Sequence, residues 1–184
     1  MSSAIAAKTF SKPVAAAAAG ALTLLLSACS GISANEAAII DGQSIGVSEL
    51  QQTTEEFNSI SAEPAPPTTV LSQRTLTPAV DAIMAGTSEE LTDQQVIDVL
   101  SESGLENPSP LTIEVARTIL YTSTLQNPEV LANPEMADAL AQLQELTGED
   151  IAAMIEDINP RYGEFDAETR TILPVVPEWI TPAG

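Results

Sequence analysis

One side chain in this sequence carries covalent chemistry of its own. Cys29 is the single cysteine among 184 residues, and no histidine accompanies it. A thiol or hydroxyl with no imidazole anywhere in the chain excludes a Cys-His pair, a Ser-His-Asp triad and a histidine-based zinc site. Carboxylates are the next candidates, in the adjacent pairs Glu55-Glu56, Glu89-Glu90 and Glu149-Asp150. Neighbours on a helix point about 100° apart, so these pairs do not converge on one bond by local geometry, and exposed charge is their expected role. No Gly-rich phosphate loop or dinucleotide fingerprint occurs, and Asp41-Gly42 lacks the alternating acids of a calcium loop. No cofactor, metal or enzymatic activity is expected. Arg161-Tyr162 is the polar pair best suited to contact chemistry. It can meet a peptide backbone or a partner; alternatively Arg161 pairs with a nearby acid while Tyr162 packs its ring.

The setting of Cys29 gives its thiol a use. Lys8 and Lys12 precede an apolar run from Val14 to Leu26, and Leu26-Ser27-Ala28-Cys29 closes it. Those thirteen residues match a signal-peptide core of roughly 7–15 and fall short of the ~20 that span a bilayer. The order of basic start, apolar core, Leu, two small residues and Cys resembles a bacterial lipoprotein signal. That resemblance implies cleavage between Ala28 and Cys29, a lipid thioether on Cys29 and acylation of the new amino end. The expected address is the extracytoplasmic face of the cell membrane, held there by lipid. Residues 1–28 are therefore set apart from the fold.

The remaining 156 residues amount to one domain, able to bury about two thirds of its unfolded surface. No disulfide staples it, so its core must hold it alone. Both lysines lie in the signal, which leaves Arg74, Arg117, Arg161 and Arg170 against all 26 acids, a formal charge of about −22. Phosphate binding rests on Lys and Arg, so nucleic acid is not an expected partner. An anionic membrane repels the body as well, leaving lipid as its anchor.

The elements follow from local signals. Residues 29–36 form a short polar tether, whose Ser30–Glu36 stretch reaches at most about 25 Å. Ala37-Ala38-Ile39-Ile40 reads as a strand, Asp41-Gly42 as a tight turn, and Ile45 and Val47 as further extended chain. Ser48 and Gln51 form a capping box for a helix from Glu49 to about Ile60. Pro64, Pro66 and Pro67 break the chain between Ser61 and Thr69. A second helix, about Val70 to Ala85, carries Leu76, Val80, Ile83 and Met84 on one stripe. Thr92 and Gln95 box a third helix through Val96, Val99 and Leu100, closed by Gly104. Pro110 opens a fourth, with Ile113, Ala116, Ile119 and Leu120 as its apolar line. Asn133-Pro134 opens a fifth, through Met136 and Leu140 to a stop near Gly148. Residues from Ile151 to Ile158 fit either a strand or a helix. The end, with Pro174, Pro177 and Pro182, reads as a tail that Trp179 can pin to the body.

Three stretches carry a family resemblance. Ala38-Ile39-Ile40-Asp41-Gly42-Gln43-Ser44-Ile45 resembles the opening strand and turn of the SurA N-terminal chaperone domain. Leu91-Thr92-Asp93-Gln94-Gln95-Val96 resembles its third helix. Asn159-Pro160-Arg161-Tyr162-Gly163-Glu164-Phe165-Asp166 resembles the closing segment of actinobacterial lipoproteins with this domain. The resemblance spans residues 37–166 and leaves 167–184 as a Pro-rich tail. It implies a mainly α fold, an irregular helical bundle whose ends are joined by a small two-stranded antiparallel pair, with Ile155–Ile158 as the returning strand. It implies a chaperone that cradles unfolded or exported polypeptides between helices. Many such relatives carry a parvulin isomerase domain, for which this sequence has no room, so a non-catalytic holdase is expected. An envelope adaptor for one folded partner is the alternative. Met84, Met136 and Met154, with Arg161 and Tyr162, are the candidate peptide contacts, because thioether side chains repack easily; at helical spacing the same methionines also suit a core.

Overall fold

The computed structural model describes residues 32–175. Cys29 with its lipobox, and Trp179, lie outside the described residues.

Strands β1 (Glu36–Ile40) and β2 (Gln43–Gly46) form a hairpin. Asp41 and Gly42 between them take φ of 52° and 70°. Two successive left-handed residues make the turn whose twist matches a hairpin, and Asp-Gly is the sequence that adopts it most readily. Helix α1 (Val47–Ile60) starts directly from β2. Its cap is Gly46, not the expected Ser48: the ladder runs on until the Val47 N–H meets the Asn35 carbonyl at 2.8 Å, and Glu49 reaches back to the Gly46 N–H at 3.2 Å.

Helix α2 (Pro67–Met84) begins three residues before the expected Val70, because Pro66 serves as its cap and Pro67 as its first residue. The first helical N–H has no intrahelical partner, so proline costs nothing there. Pro78 sits inside α2 without ending it. The preceding loop is held by Asn58, whose side chain accepts from the Ala65 N–H at 2.8 Å and donates to its carbonyl at 3.0 Å. Helix α3 (Asp93–Glu102) has the expected box: Thr92 Oγ1 accepts from the Gln95 N–H, and Gln95 Oε1 from the Thr92 N–H at 2.8 Å. Helix α4 (Pro110–Thr124) opens on proline as expected. Its buried face is Leu111, Thr112, Val115, Ala116, Thr118 and Tyr121, whereas Ile119 of the expected stripe is 41 % exposed. Threonines take that face because their hydroxyls are satisfied: Thr112 by Glu56, Thr118 by Thr77.

A single 3-10 turn (Val130–Ala132) leads into α5 (Pro134–Glu145), capped by Asn133 accepting the Glu135 N–H at 3.1 Å. Gly148 does not stop α5; it starts a short α6 (Gly148–Ala152). A Cβ there would fall 1.8 Å from the Ala167 carbonyl oxygen, so the close approach of two chain segments requires glycine. The ambiguous stretch is thus both things in turn, helix α6 and then strand β3 (Ile155–Ile158). Strand β3 returns to β1 antiparallel, giving a three-stranded sheet in the order β2-β1-β3 rather than a single pair.

Strands β4 (Glu164–Asp166) and β5 (Thr171–Leu173) add a second hairpin. The body therefore continues past Asp166, and the expected tail boundary falls inside this hairpin. Ile172 is in the core, and its N–H donates to Ser72 Oγ of α2 at 2.9 Å.

The result is mainly helical, with six α-helices and small antiparallel sheets among the described residues. The largest core cluster packs the three-stranded sheet onto α1, α2 and α4 through Ile40, Leu50, Leu71, Leu111, Val115 and Tyr162. A second joins α2, α4 and α5 through Val80, Met84, Tyr121, Leu125 and Met136. Each such side chain, fully buried, stabilises by roughly 1.5–3 kcal/mol before the entropy of ordering is counted.

Candidate functional site

The open ground of this fold lies where β3 meets the second hairpin. Among the described residues, strand β3 has a neighbouring strand on one side only. On that side the Asp41 N–H donates to the Met154 carbonyl at 2.7 Å and the Asn159 N–H to the Ala37 carbonyl at 2.9 Å. Ile39 faces Asp157 and Ile40 faces Ile155, so Glu156 is the extra residue of a bulge. Peptide groups in an antiparallel strand alternate between the two sides. Met154 and Asn159 thus turn peptide groups to β1, and the opposite side of β3 has no paired strand among the described residues.

Beside that edge is an open cleft of about 420 Å3. Ile155, Ile158, Pro160 and Phe165 give it apolar walls, and Asp157 and Glu164 give it charge. A second cleft of about 410 Å3 adjoins it, sharing Glu164 and Phe165 and adding Asp166, Leu173 and Val175. Leu173 is 43 % and Val175 51 % exposed, two of the four large apolar side chains most open to water among the described residues.

The turn between β3 and β4 is fixed rather than loose. Asn159 Nδ2 donates to the Glu36 carbonyl at 2.8 Å, and its Oδ1 accepts the Arg161 N–H at 3.2 Å. Gly163 has φ of 110°, and a Cβ on it would lie 2.0 Å from the Leu173 carbonyl oxygen. Only glycine lets the two hairpin strands close here.

The structure separates the five candidate contacts. Met84 and Met136 are wholly buried in the second core cluster; an apolar hollow of about 140 Å3 between α1, α2 and α4, walled by Phe57, Val70, Val115 and Ile119, includes none of the five. Met154 is half-buried next to β3. Tyr162 packs its ring into the first core cluster, so its role is to seat the turn. Arg161 is exposed, and its Nη2 lies 3.5 Å from the Ala34 carbonyl rather than on an acid. Met154 and Arg161 adjoin cleft residues in the chain, but neither lines the cleft. Missed by the sequence reading were Phe165 and Leu173; the alternation of Glu164-Phe165-Asp166 and Thr171-Ile172-Leu173 was the available signal, only three residues long on each side.

A smaller polar pocket of about 250 Å3 sits between the β1–β2 turn, α2 and α4. Arg74, 3 % exposed, donates from Nη2 to Gln43 Oε1 at 2.8 Å and places Nε 3.2 Å from Glu114 Oε2. Arg117 is bonded to Asp93 and lies 3.7 Å from Asp81. Burial pushes the Asp81 carboxyl above its usual range, with Arg117 pulling the other way. These ion pairs tie elements together, although Arg74 Nη1, Asp81 Oδ1 and Arg117 Nε are buried without a hydrogen-bond partner among the described residues.

Among the described residues no group of three His, Cys, Asp or Glu is placed to hold a metal ion. No described helix is long and apolar enough to cross a membrane. Comparison of the chain with protein-family models, curated proteins and solved structures finds no match.

Proposed function

We propose that this chain is a lipid-anchored, extracytoplasmic domain of the SurA N-terminal kind that binds extended segments of unfolded or exported polypeptides by contact, without enzymatic chemistry. The observation that carries this reading is the unpaired edge of β3 beside an open, partly apolar cleft. An extended guest adds a strand to such an edge. Its main chain supplies sequence-tolerant hydrogen bonds, and the cleft takes alternate side chains. The return of β3 to β1 supports the family part of the proposal, since that is the pairing the resemblance implies. The strand edge is the preferred seat in this reading because its cleft, about 420 Å3, is larger than the apolar hollow of about 140 Å3 between α1, α2 and α4.

The test is an aggregation assay with an unfolded client, run with the full chain in non-ionic detergent micelles. Near-stoichiometric protein should slow aggregation, and a client peptide N-methylated at alternate amides should not compete. If aggregation is unchanged and no peptide binds, the proposal falls. The four-residue length of β3 favours a second reading, an adaptor that takes one short tail from one folded partner. Pull-down separates the two: many unfolded clients favour the first, one stoichiometric partner the second. Anchoring is tested separately. Cys29→Ser should move the protein from membrane to soluble fractions, and retention in the membrane would refute a lipid anchor.

A further inference from the structure

Resting on that reading, we infer that the segment taken by the β3 edge is cationic: an extended stretch in which apolar residues alternate with Lys or Arg. The apolar half of this chemistry is set by Ile155, Ile158 and Phe165, which wall the cleft. The charged half is set by the acids around them. Asp157 and Glu164 line the same cleft and Asp166 lines the adjoining one, whereas the Glu156 carboxylate accepts the Gly42 N–H of the β1–β2 turn at 2.8 Å. Arg161 is the nearest cation in sequence, and its guanidinium is directed to the Ala34 carbonyl.

Unpaired edges attract any extended chain, and proteins guard them with bulges and charge. Here both guards are present, and the charge is of one sign. A guest strand laid on this edge meets the two carboxylates of the cleft, Asp157 and Glu164. Acidic guests are repelled, neutral ones gain nothing from the rim, and basic ones are attracted on approach and held once docked. The whole molecule adds to the selection: with four arginines against 26 acids beyond the signal, its long-range field draws cations in. The same arithmetic disfavours a second copy of this chain as the occupant, since it would bring an equal negative charge.

Three synthetic octapeptides test this, with identical apolar residues at alternate positions and Lys, Ser or Glu between them. Binding is read by fluorescence anisotropy on the full chain in non-ionic micelles. The Lys peptide should bind at least about tenfold more tightly than the Ser peptide at low salt and the Glu peptide most weakly, with the margin collapsing near 0.5 M salt. Asp157→Asn with Glu164→Gln should bring the Lys and Ser peptides to equal affinity, while Asp138→Asn on α5, away from the cleft, should keep the Lys advantage. Equal binding of Lys and Ser peptides, or a Lys advantage that survives the double substitution, overturns the inference and leaves the polypeptide-binding reading intact. If none of the three binds, that reading falls with it.

Discussion

Glu56 belongs to α1 but caps α4. Its Oε2 accepts the Ser109 N–H at 2.8 Å and the Thr112 hydroxyl at 2.6 Å, while the Ser109 side chain makes no cap bond of its own. A carboxylate at that position also meets the positive end of the helix dipole. Partial burial pushes its pKa up, but the donors from Ser109 and Thr112 outweigh this and hold it below the usual carboxylate range. A depressed folded-state pKa contributes stability that is present above the unfolded value, near 4.3, and lost as pH falls through the folded one. Glu56→Gln should therefore cost about 1 kcal/mol at neutral pH, since solvent screens a partly exposed carboxylate and discounts its hydrogen bonds. Urea unfolding of both proteins from pH 7 downward checks it. The gap should narrow below about pH 4 as the wild-type carboxylate takes up its proton; a gap that holds constant into acid would show that the charge of Glu56 is not what matters.

At the scale of elements, Arg74 is the fastener between the first hairpin and two helices. From inside α2 it holds Gln43 of β2 and Glu114 of α4. Removing one partner of a buried ion pair leaves the other short of compensation, which typically costs 3–5 kcal/mol. Glu114 keeps 37 % of its side-chain surface in water, so the lower part of that range applies. Arg74→Met should cost about 3 kcal/mol by chemical denaturation, and Arg161→Ala, on the surface, less than about 0.5. Equal effects would mean the network is idle. The contrast shows what a sequence can and cannot announce. Helix starts at Thr92, Pro110 and Asn133 were legible because a cap and its helix are neighbours in the chain. The Asp41-Gly42 turn was legible for the same reason. Glu56 capping a helix 53 residues away, and Arg74 buried among residues from three elements, have no local signature. The cleft was half legible. Asn159 to Gly163 stood out as a turn, yet the free edge beside it exists only because β3 pairs on one side, which is a property of topology rather than of residues 155–158 themselves.

For the described body as a whole, the question is how the two ends of a helical chain are brought into register. Strand β1 opens the described fold, β3 comes back to it from more than a hundred residues downstream, and the Asn159 side chain locks the junction onto the Glu36 carbonyl. The β4–β5 hairpin then packs onto the main cluster and α2. Ile172 fills a place in the main cluster, its N–H satisfies Ser72, and the Ala167 backbone lies against Gly148 at the start of α6. Ending the chain after Asp166 removes all three at once. Burial of Ile172 alone is worth roughly 1.5–3 kcal/mol, and losing the partner strand leaves β4 unpaired. Against the few kcal/mol to spare in a domain of this size, a chain ended at Asp166 should unfold at a clearly lower denaturant concentration and show faster amide exchange in β3 and β4 than the full chain. If the shortened chain unfolds at the same midpoint, the hairpin is an appendage, and the cleft it shares with β3 through Glu164 and Phe165 has no rigid wall on that side.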